Sequence, residues 1–191
     1  MFLFPLEYRE HAANPQFPRK APNVARLGRS GRLLSRKRTT RLLSCEVLNG
    51  LLADSMVLYG HYNKYGWLVR RQGFQELDRL FDKQAAEQRE SIDLIVERVR
   101  ILGGVATVPR QVAELTVMSR LPIEAQEVPE MLARLLESHA LIIGRIREGM
   151  TVTASSGDDA TNYLLSGLLR RQEQQVRCIS ESLGDDVAMS A

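Results

Sequence analysis

Residues 74–104 read FQELDRLFDKQAAEQRESIDLIVERVRILGG, and this stretch decides the fold. Its apolar side chains recur every three or four residues, which is the period of one helix face and not the alternation of a strand. The Gly103-Gly104 pair follows the last of them, where glycine commonly ends a helix. The stretch therefore predicts a long amphipathic helix whose apolar positions are Phe74, Leu77, Phe81, Ala85, Ile92, Ile95, Val96, Val99 and Leu102.

Three other stretches have the same helical period. One lies before Gly73, one follows Pro129, which suits a first helical turn, and one follows the Ser155–Asp159 segment, which offers N-caps. The short link at Gln72-Gly73 predicts that the first two helices are antiparallel neighbours. In these three stretches the apolar positions include Leu43, Val47, Leu51, Leu58 and Tyr62, then Met131, Leu135, Ile142 and Ile146, and then Leu165, Leu168, Val176 and Ile179.

The segment between the second and third helices is long and contains Pro109 and Pro122. A single long crossover at this point is the ferritin-like connection, one of the few bundle topologies with one long link. We therefore predict an all-α fold, a ferritin-like four-helix bundle with a long second-to-third-helix crossover and a basic disordered N-terminal arm.

Composition narrows the class of protein. The 191 residues are 44% hydrophobic, enough for a core, and only 6% aromatic, which argues against a β-sandwich or barrel. No apolar run approaches the ~20 residues of a membrane helix, so no membrane partner is expected. Cys45 and Cys178 lie far apart and form no disulfide framework, which favours a reducing cytoplasm. Three histidines form no HExxH or zinc-finger motif.

Charge divides the chain into three parts. Residues 1–41 hold ten Arg and Lys against two Glu, a net charge of +8, whereas residues 42–191 carry −5. We interpret 1–41 as a basic flexible arm rich in proline, 42–184 as the bundle and 185–191 as a short tail. A basic arm is typical of a polyanion binder, although solvation, tethering to sister subunits and a transit peptide are alternatives. The candidate DNA-binding residues are Arg26, Arg29, Arg32, Arg36, Lys37, Arg38 and Arg41.

An ordered series of motifs resembles the Dps family, the DNA-binding proteins of starved cells. The series begins with LNGLLAD at residues 48–54, and its strongest part is Asp93-xxx-Glu97-Arg98 followed by Leu102-Gly103-Gly104. It continues with HALI at residues 139–142, GDDATN at 157–162 and LLRR at 168–171, so that the resemblance covers about residues 45 to 183.

The resemblance implies a hollow homo-oligomer of twelve subunits in the cytoplasm, associated with the nucleoid. Such a cage is a ferroxidase: it oxidises Fe(II), typically with peroxide, stores the ferric product and binds DNA non-specifically as part of a stress response. The family's iron centre lies at a two-fold interface. One subunit supplies two histidines, and the other supplies an Asp and a Glu.

The carboxylate half of this centre carries over as Asp93 and Glu97, which stand one turn apart on one helix face. An ordinary solvated acidic face, or pairing with Arg89 or Arg98, is the structural alternative. The metal implied is iron, with zinc as an alternative.

The histidine half does not carry over. The two expected positions hold Gly66 and Asp78, and Asp82 lies one turn beyond Asp78 at a family position that sometimes supports a second iron. His61 lies five residues before Gly66, about 140° away around the helix, and is a poor substitute. An all-carboxylate set of Asp78, Asp82, Asp93 and Glu97 is expected to bind Fe(II) more weakly or with altered selectivity, and to stabilise Fe(III).

Geometry makes any shared metal depend on two chains. Asp78 and Asp93 are fifteen residues apart on one helix, ~22 Å along its axis, so only antiparallel pairing across a two-fold axis brings them together.

Three further residues have two interpretations each. Trp67 is either a redox neighbour of the site or a packing residue. Asp158 and Asp159 resemble the acids of an iron-admitting pore, and N-capping is the alternative, expected for at least one of them.

Two functional hypotheses follow. The first is an iron-oxidising, iron-storing cage that binds DNA through its arm. The second is a structural DNA-binding or co-assembly subunit whose ferroxidase centre is weak or lost, and Gly66 and Asp78 motivate it.

Overall fold

The computed structural model describes residues 29–118 and 127–189, with side chains for 37–118 and 127–182. Four long helices are α1 (Arg29–Gln72), α2 (Gln75–Ile101), α4 (Val128–Ser156) and α5 (Asp159–Met189). A 3-10 turn at Pro109–Gln111 and the short helix α3 (Val112–Leu115) lie in the crossover. Within the described ranges the chain is all-α. The predicted four-helix bundle with a long second-to-third-helix crossover is confirmed.

Glycines end the helices where the sequence indicated. The amide of Gly104 donates to the Val99 carbonyl at 2.9 Å, and that of Gly103 donates to the Arg100 carbonyl at 2.9 Å. This pair of bonds is a Schellman motif, and the left-handed backbone at Gly103, with φ of 76°, is one that glycine adopts without strain. Gly157 ends α4 in the same conformation, so α5 starts two residues later and reverses direction.

The core lies along the inner faces of the four long helices. α1 packs against both α2 and α4, and α4 packs against α5. Residues 37–72 of α1 are apolar enough by composition alone to cross a membrane, but most of its large apolar side chains lie in this core or pack against it. That burial is typical of the central helix of a bundle. Leu42, Leu43 and Trp67 are exposed exceptions. The fully buried side chains include Leu48, Leu51, Leu52, Leu58, Tyr62, Tyr65, Phe81, Ile95, Leu132 and Leu135.

The motif at residues 48–54 attaches the crossover to α1. Asn49 donates to the Val105 carbonyl at 3.0 Å and accepts from the Thr107 amide at 2.8 Å. One turn later, the buried carboxylate of Asp54 accepts from the Thr116 hydroxyl at 2.7 Å and the Val117 amide at 2.9 Å. Two polar side chains on α1 therefore hold both ends of the described crossover.

A glycine makes room for the cation that neutralises Asp54. Nη1 of Arg145 lies 3.1 Å from Asp54 Oδ2. A Cβ on Gly50 would stand only 2.8 Å from the same Nη1 atom. The Asn-Gly-x-x-x-Asp spacing of the motif thus has a packing reason in this chain.

The structure corrects both ends of the predicted bundle. α1 begins at Arg29, so residues 29–41 are helical and do not belong to a flexible arm. α5 continues to Met189, so most of the predicted tail at 185–191 is helical too. Lys37, Arg38 and Arg41 are exposed on α1. Arg26 and the rest of residues 1–28 lie outside the described residues.

Candidate metal centre

The predicted metal ligands all lie on α2. Asp93 and Glu97 are exposed, one turn apart in its second half. Neither forms an ion pair with another described residue, because the alternative partner Arg98 instead contacts Asp158 at 2.8 Å. These carboxylates remain available to a ligand or partner from outside the chain.

Asp78 and Asp82 lie in the first half of α2, where Arg70 of α1 binds both. Nε and Nη2 of Arg70 donate to the two oxygens of Asp78 at 2.9 and 2.8 Å, and Nη2 also contacts Asp82 Oδ2 at 3.0 Å. The hydrogen bonds that Arg70 donates to Asp78, and then the charge of Asp78, raise the pKa of the Arg70 guanidinium. A fixed cation of the protein thus lies between two candidate ligands.

Gly66 faces the same place, one turn before Arg70. A Cβ on Gly66 would lie 3.9 Å from an Asp82 oxygen and 4.0 Å from an Asp78 oxygen. Position 66 is therefore close to both carboxylates, as a ligand position would be, but it offers no side chain. We call Arg70, Asp78 and Asp82 the arginine–aspartate cluster.

One chain does not assemble a complete metal site. Among the described residues, no three His, Cys, Asp or Glu side chains converge on one point. The two acidic pairs sit on one straight helix, so only a second chain could bring them together. Carboxylates are common metal ligands in ferritin-like bundles, and oxygen is the only donor type that Asp78, Asp82, Asp93 and Glu97 offer.

Sequence reasoning missed the role of Arg70. The usable signal was an arginine just before a glycine turn and two acids one turn apart just after it, because antiparallel neighbours bring such residues together.

Trp67 and His61, which lie on either side of Gly66 in the sequence, differ in their exposure to solvent. Trp67 is 64% exposed, so its interpretation as a packing residue is wrong for the single chain, while its redox role stays a prediction. His61 is buried, and its Nδ1 lies 3.2 Å from the Ser138 hydroxyl. Burial, followed by the charges of Lys64 and Arg134, lowers the pKa of His61 to about 4.

Asp158 and Asp159 have different environments. Asp158 is buried and caps α5, accepting from the Thr161 amide at 3.1 Å and the Ser44 hydroxyl at 2.6 Å. Burial alone would raise the pKa of its carboxyl, but these hydrogen bonds and the Arg98 charge outweigh it and lower the pKa. The capping alternative thus describes Asp158, whereas Asp159 is exposed and stays a pore candidate.

A row of buried polar side chains crosses the bundle core beyond the arginine–aspartate cluster. The Tyr62 hydroxyl lies 2.6 Å from His139 Nε2, and His139 Nδ1 lies 2.8 Å from Gln172 Oε1. Gln172 Nε2 donates to Gln88 Oε1 at 3.0 Å. The row takes one residue from each long helix. Desolvation in this core lowers the pKa of His139 to about 4, and the hydrogen bond from His139 to Gln172 opposes this shift without cancelling it.

Comparisons with known proteins agree on the family. The family model of the ferritin-like domain matches residues 45–188. DpsC from Streptomyces coelicolor is 48% identical with a TM-score of 0.73, over 76% of this chain and 86% of that one. The Dps homologue from Halobacterium salinarum is 26% identical with a TM-score of 0.71, over 76% and 81%.

A relative found by sequence comparison points to the same family. The nutrient stress-induced DNA-binding protein of a Synechococcus strain is 32% identical over 143 residues, which is 74% of this chain and 81% of that protein. The family-model match at residues 45–188 spans most of the bundle, the crossover and the motifs quoted above. The chain belongs to the Dps family of ferritin-like proteins.

Proposed function

We propose that this chain is a subunit of a cytoplasmic, nucleoid-associated cage of about twelve copies that binds Fe(II), oxidises it, stores the ferric product and binds DNA. The observation that supports it best is the exposed pair Asp93 and Glu97, which has no ion-pair partner among the described residues. Iron is the substrate here, and carboxylate oxygens favour its ferric form.

The pairing of two copies follows from the same helix. Asp93 and Glu97 of one copy would face the arginine–aspartate cluster of the other across a two-fold axis. Trp67, exposed beside Gly66, would then lie at this interface, and the exposed Asp159 would line an entry route for iron.

A second candidate is a structural DNA-binding or co-assembly subunit with weak ferroxidase activity. The specific observation in its favour is Arg70, whose guanidinium already forms ion pairs with Asp78 and Asp82. Gly66 adds no ligand beside them.

Anaerobic Fe(II) titration followed by peroxide separates these candidates. Under the first, the assembled protein oxidises iron faster than buffer, and Asp93→Asn with Glu97→Gln removes this activity. Glu76→Gln, an exposed acid on the same helix, serves as the control and leaves it unchanged. Oxidation at the buffer rate rejects the first candidate.

A restored variant tests the second candidate. Gly66→His with Asp78→His supplies the nitrogen ligands and also removes the principal partner of Arg70. If this variant oxidises iron no faster than the original protein, positions 66 and 78 do not limit the activity.

DNA binding is assigned to the basic residues at and before the start of α1. With Lys37, Arg38 and Arg41 changed to Gln, we expect weaker gel retardation and a shallower dependence of log affinity on log salt, whose slope is about −0.9 per phosphate contacted. Arg100, Arg110 and Arg177, also exposed and changed to Gln together, alter net charge equally and are the matched control. Equal losses in both triples would contradict a localised site.

Removing residues 1–28 tests the remaining basic residues. We expect it to weaken DNA retardation further and to leave the shell assembled, because α1 begins at Arg29.

A further inference from the structure

The buried row of Tyr62, His139, Gln172 and Gln88 has a defined direction. Gln172 donates its Nε2 hydrogen to Gln88, so its Oε1 is the acceptor for His139 Nδ1. His139 therefore carries its hydrogen on Nδ1, and Nε2 accepts from the Tyr62 hydroxyl at 2.6 Å. A neutral imidazole is thus held in the one tautomer that can take a proton from this phenol.

The row is not explained by packing alone. Tyr62 and His139 are both fully buried, and the nearby buried atoms Gln84 Oε1, Gln88 Nε2 and Gln175 Oε1 have no hydrogen-bond partner among the described residues. Such atoms cost stability in a bundle core, where apolar side chains of similar size would serve better.

Tyr62 is also close to the arginine–aspartate cluster. Its ring centroid lies 6.1 Å from that of Phe81. The Cβ atom of Phe81 lies 3.9 Å from the point where a Gly66 Cβ would stand, beside the oxygens of Asp78 and Asp82. A single aromatic side chain therefore separates the phenol from the place assigned to iron.

We propose that Tyr62 and His139 form a buried redox pair that gives one electron to strong one-electron oxidants arising at the arginine–aspartate cluster. The proposal rests on the proposed function, in which peroxide and Fe(II) meet there and can produce hydroxyl radical. The electron from Tyr62 reduces hydroxyl radical to hydroxide. The phenolic O–H bond breaks, its proton forms an N–H bond at His139 Nε2, and a phenoxyl radical and an imidazolium remain.

The surroundings suit these products. The new imidazolium keeps its Nδ1 hydrogen bond to Gln172 and donates from Nε2 to the phenoxyl oxygen. Because the proton moves only along an existing hydrogen bond, it need not cross the apolar core. The pair would protect the interior by accepting oxidising equivalents at one fixed residue.

Two oxidants test the pair on the assembled full-length protein by freeze-quench EPR. One is Fe(II) with peroxide, and the other is azidyl radical made by pulse radiolysis without iron. We expect a tyrosyl signal under both, lost in Tyr62→Phe and kept in Tyr163→Phe, whose ring is exposed. In His139→Gln the side chain can still accept a hydrogen bond but cannot hold the proton, so the signal should be lost or short-lived.

The outcomes separate the pair from the iron site. A Tyr62-dependent signal that appears with azidyl radical but not with Fe(II) and peroxide supports the pair and rejects iron oxidation beside it. No Tyr62-dependent signal with either oxidant, or an equally abundant and lasting one in His139→Gln, overturns the pair. Ring-deuterated tyrosine must also narrow the wild-type signal, a measurement that needs no variant, and an unchanged line width overturns the assignment.

Discussion

Arg70 donates two hydrogen bonds to Asp78 across the turn between α1 and α2, from Nε to Oδ2 at 2.9 Å and from Nη2 to Oδ1 at 2.8 Å. The same group reaches Asp82. At a position where the family resemblance implied an imidazole ligand, this chain holds a carboxylate already paired with a cation of its own. Any metal binding to these two acids must therefore compete with Arg70.

The competition predicts a gain of binding when the arginine is removed. We expect Arg70→Gln to bind Mn²⁺, used as a redox-stable probe, about two- to fivefold more tightly than the original protein, because an exposed ion pair is weak and its removal frees the carboxylates only modestly. Equilibrium dialysis or Mn²⁺ EPR measures it. Arg71→Gln removes the same charge one residue away and should change little. Equal affinities in the two variants would show that Arg70 does not compete.

Asp158 predicts a pH-dependent contribution to stability. Asp158→Asn should lower the free energy of unfolding by about 1.5–3 kcal/mol, because the neutral amide can still cap α5 but loses the charge-assisted bonds of the carboxylate. Because the folded pKa of Asp158 lies below its ordinary 3.8, this contribution is full above 3.8 and disappears as pH falls through the lower folded value. Urea unfolding of Asp159→Asn is the control, and a difference that persists in strong acid would contradict the explanation.

Gly104 predicts a steric conflict that a second substitution relieves. A Cβ at this position would stand 2.6 Å from Cys45 Sγ and 3.1 Å from Val99 Cγ1. We expect Gly104→Ala to destabilise by about 1–3 kcal/mol. Adding Cys45→Ala should recover part of this loss, since the nearest atom is removed and the Val99 contact remains. A double-mutant cycle by thermal unfolding measures the coupling, and strict additivity would rule out the clash with sulfur.

The buried histidines predict loss of stability in mild acid. Burial lowers the pKa of His61 and of His139 from the ordinary 6.5 to about 4 in the folded protein, so the unfolded chain takes up protons first as pH falls. Stability is therefore full above 6.5 and falls as pH drops toward 4, by about 1.4 kcal/mol per pH unit for each histidine. Urea unfolding across this range should show a smaller slope in His61→Asn. An unchanged slope would mean that His61 is not neutral in the folded protein.

The helices could be predicted because their signals are local. The apolar period and the glycines at 103 and 157 identify both the bundle and its turns. The helix at 29–41 was missed because most of its residues are polar, although 32–44 holds no Gly or Pro and contains four Arg and four Leu, both good helix formers.

The candidate site was harder to predict than the helices. The i, i+4 spacing of Asp93 and Glu97 can be found in sequence, but the position of the Arg70 guanidinium depends on the turn geometry and on a long side chain's rotamer. The attachments of Asn49 and Asp54 to the crossover join residues more than fifty positions apart, and no local pattern indicates them.

The polar row through the core has a consequence for how the helices align. Tyr62, His139, Gln172 and Gln88 join α1, α4, α5 and α2 in one line. A slip of any one helix by a single turn would break at least one of these bonds and strand its polar atoms in hydrocarbon surroundings. Apolar faces alone tolerate several nearly equivalent alignments. These four side chains therefore specify a single register of the four helices.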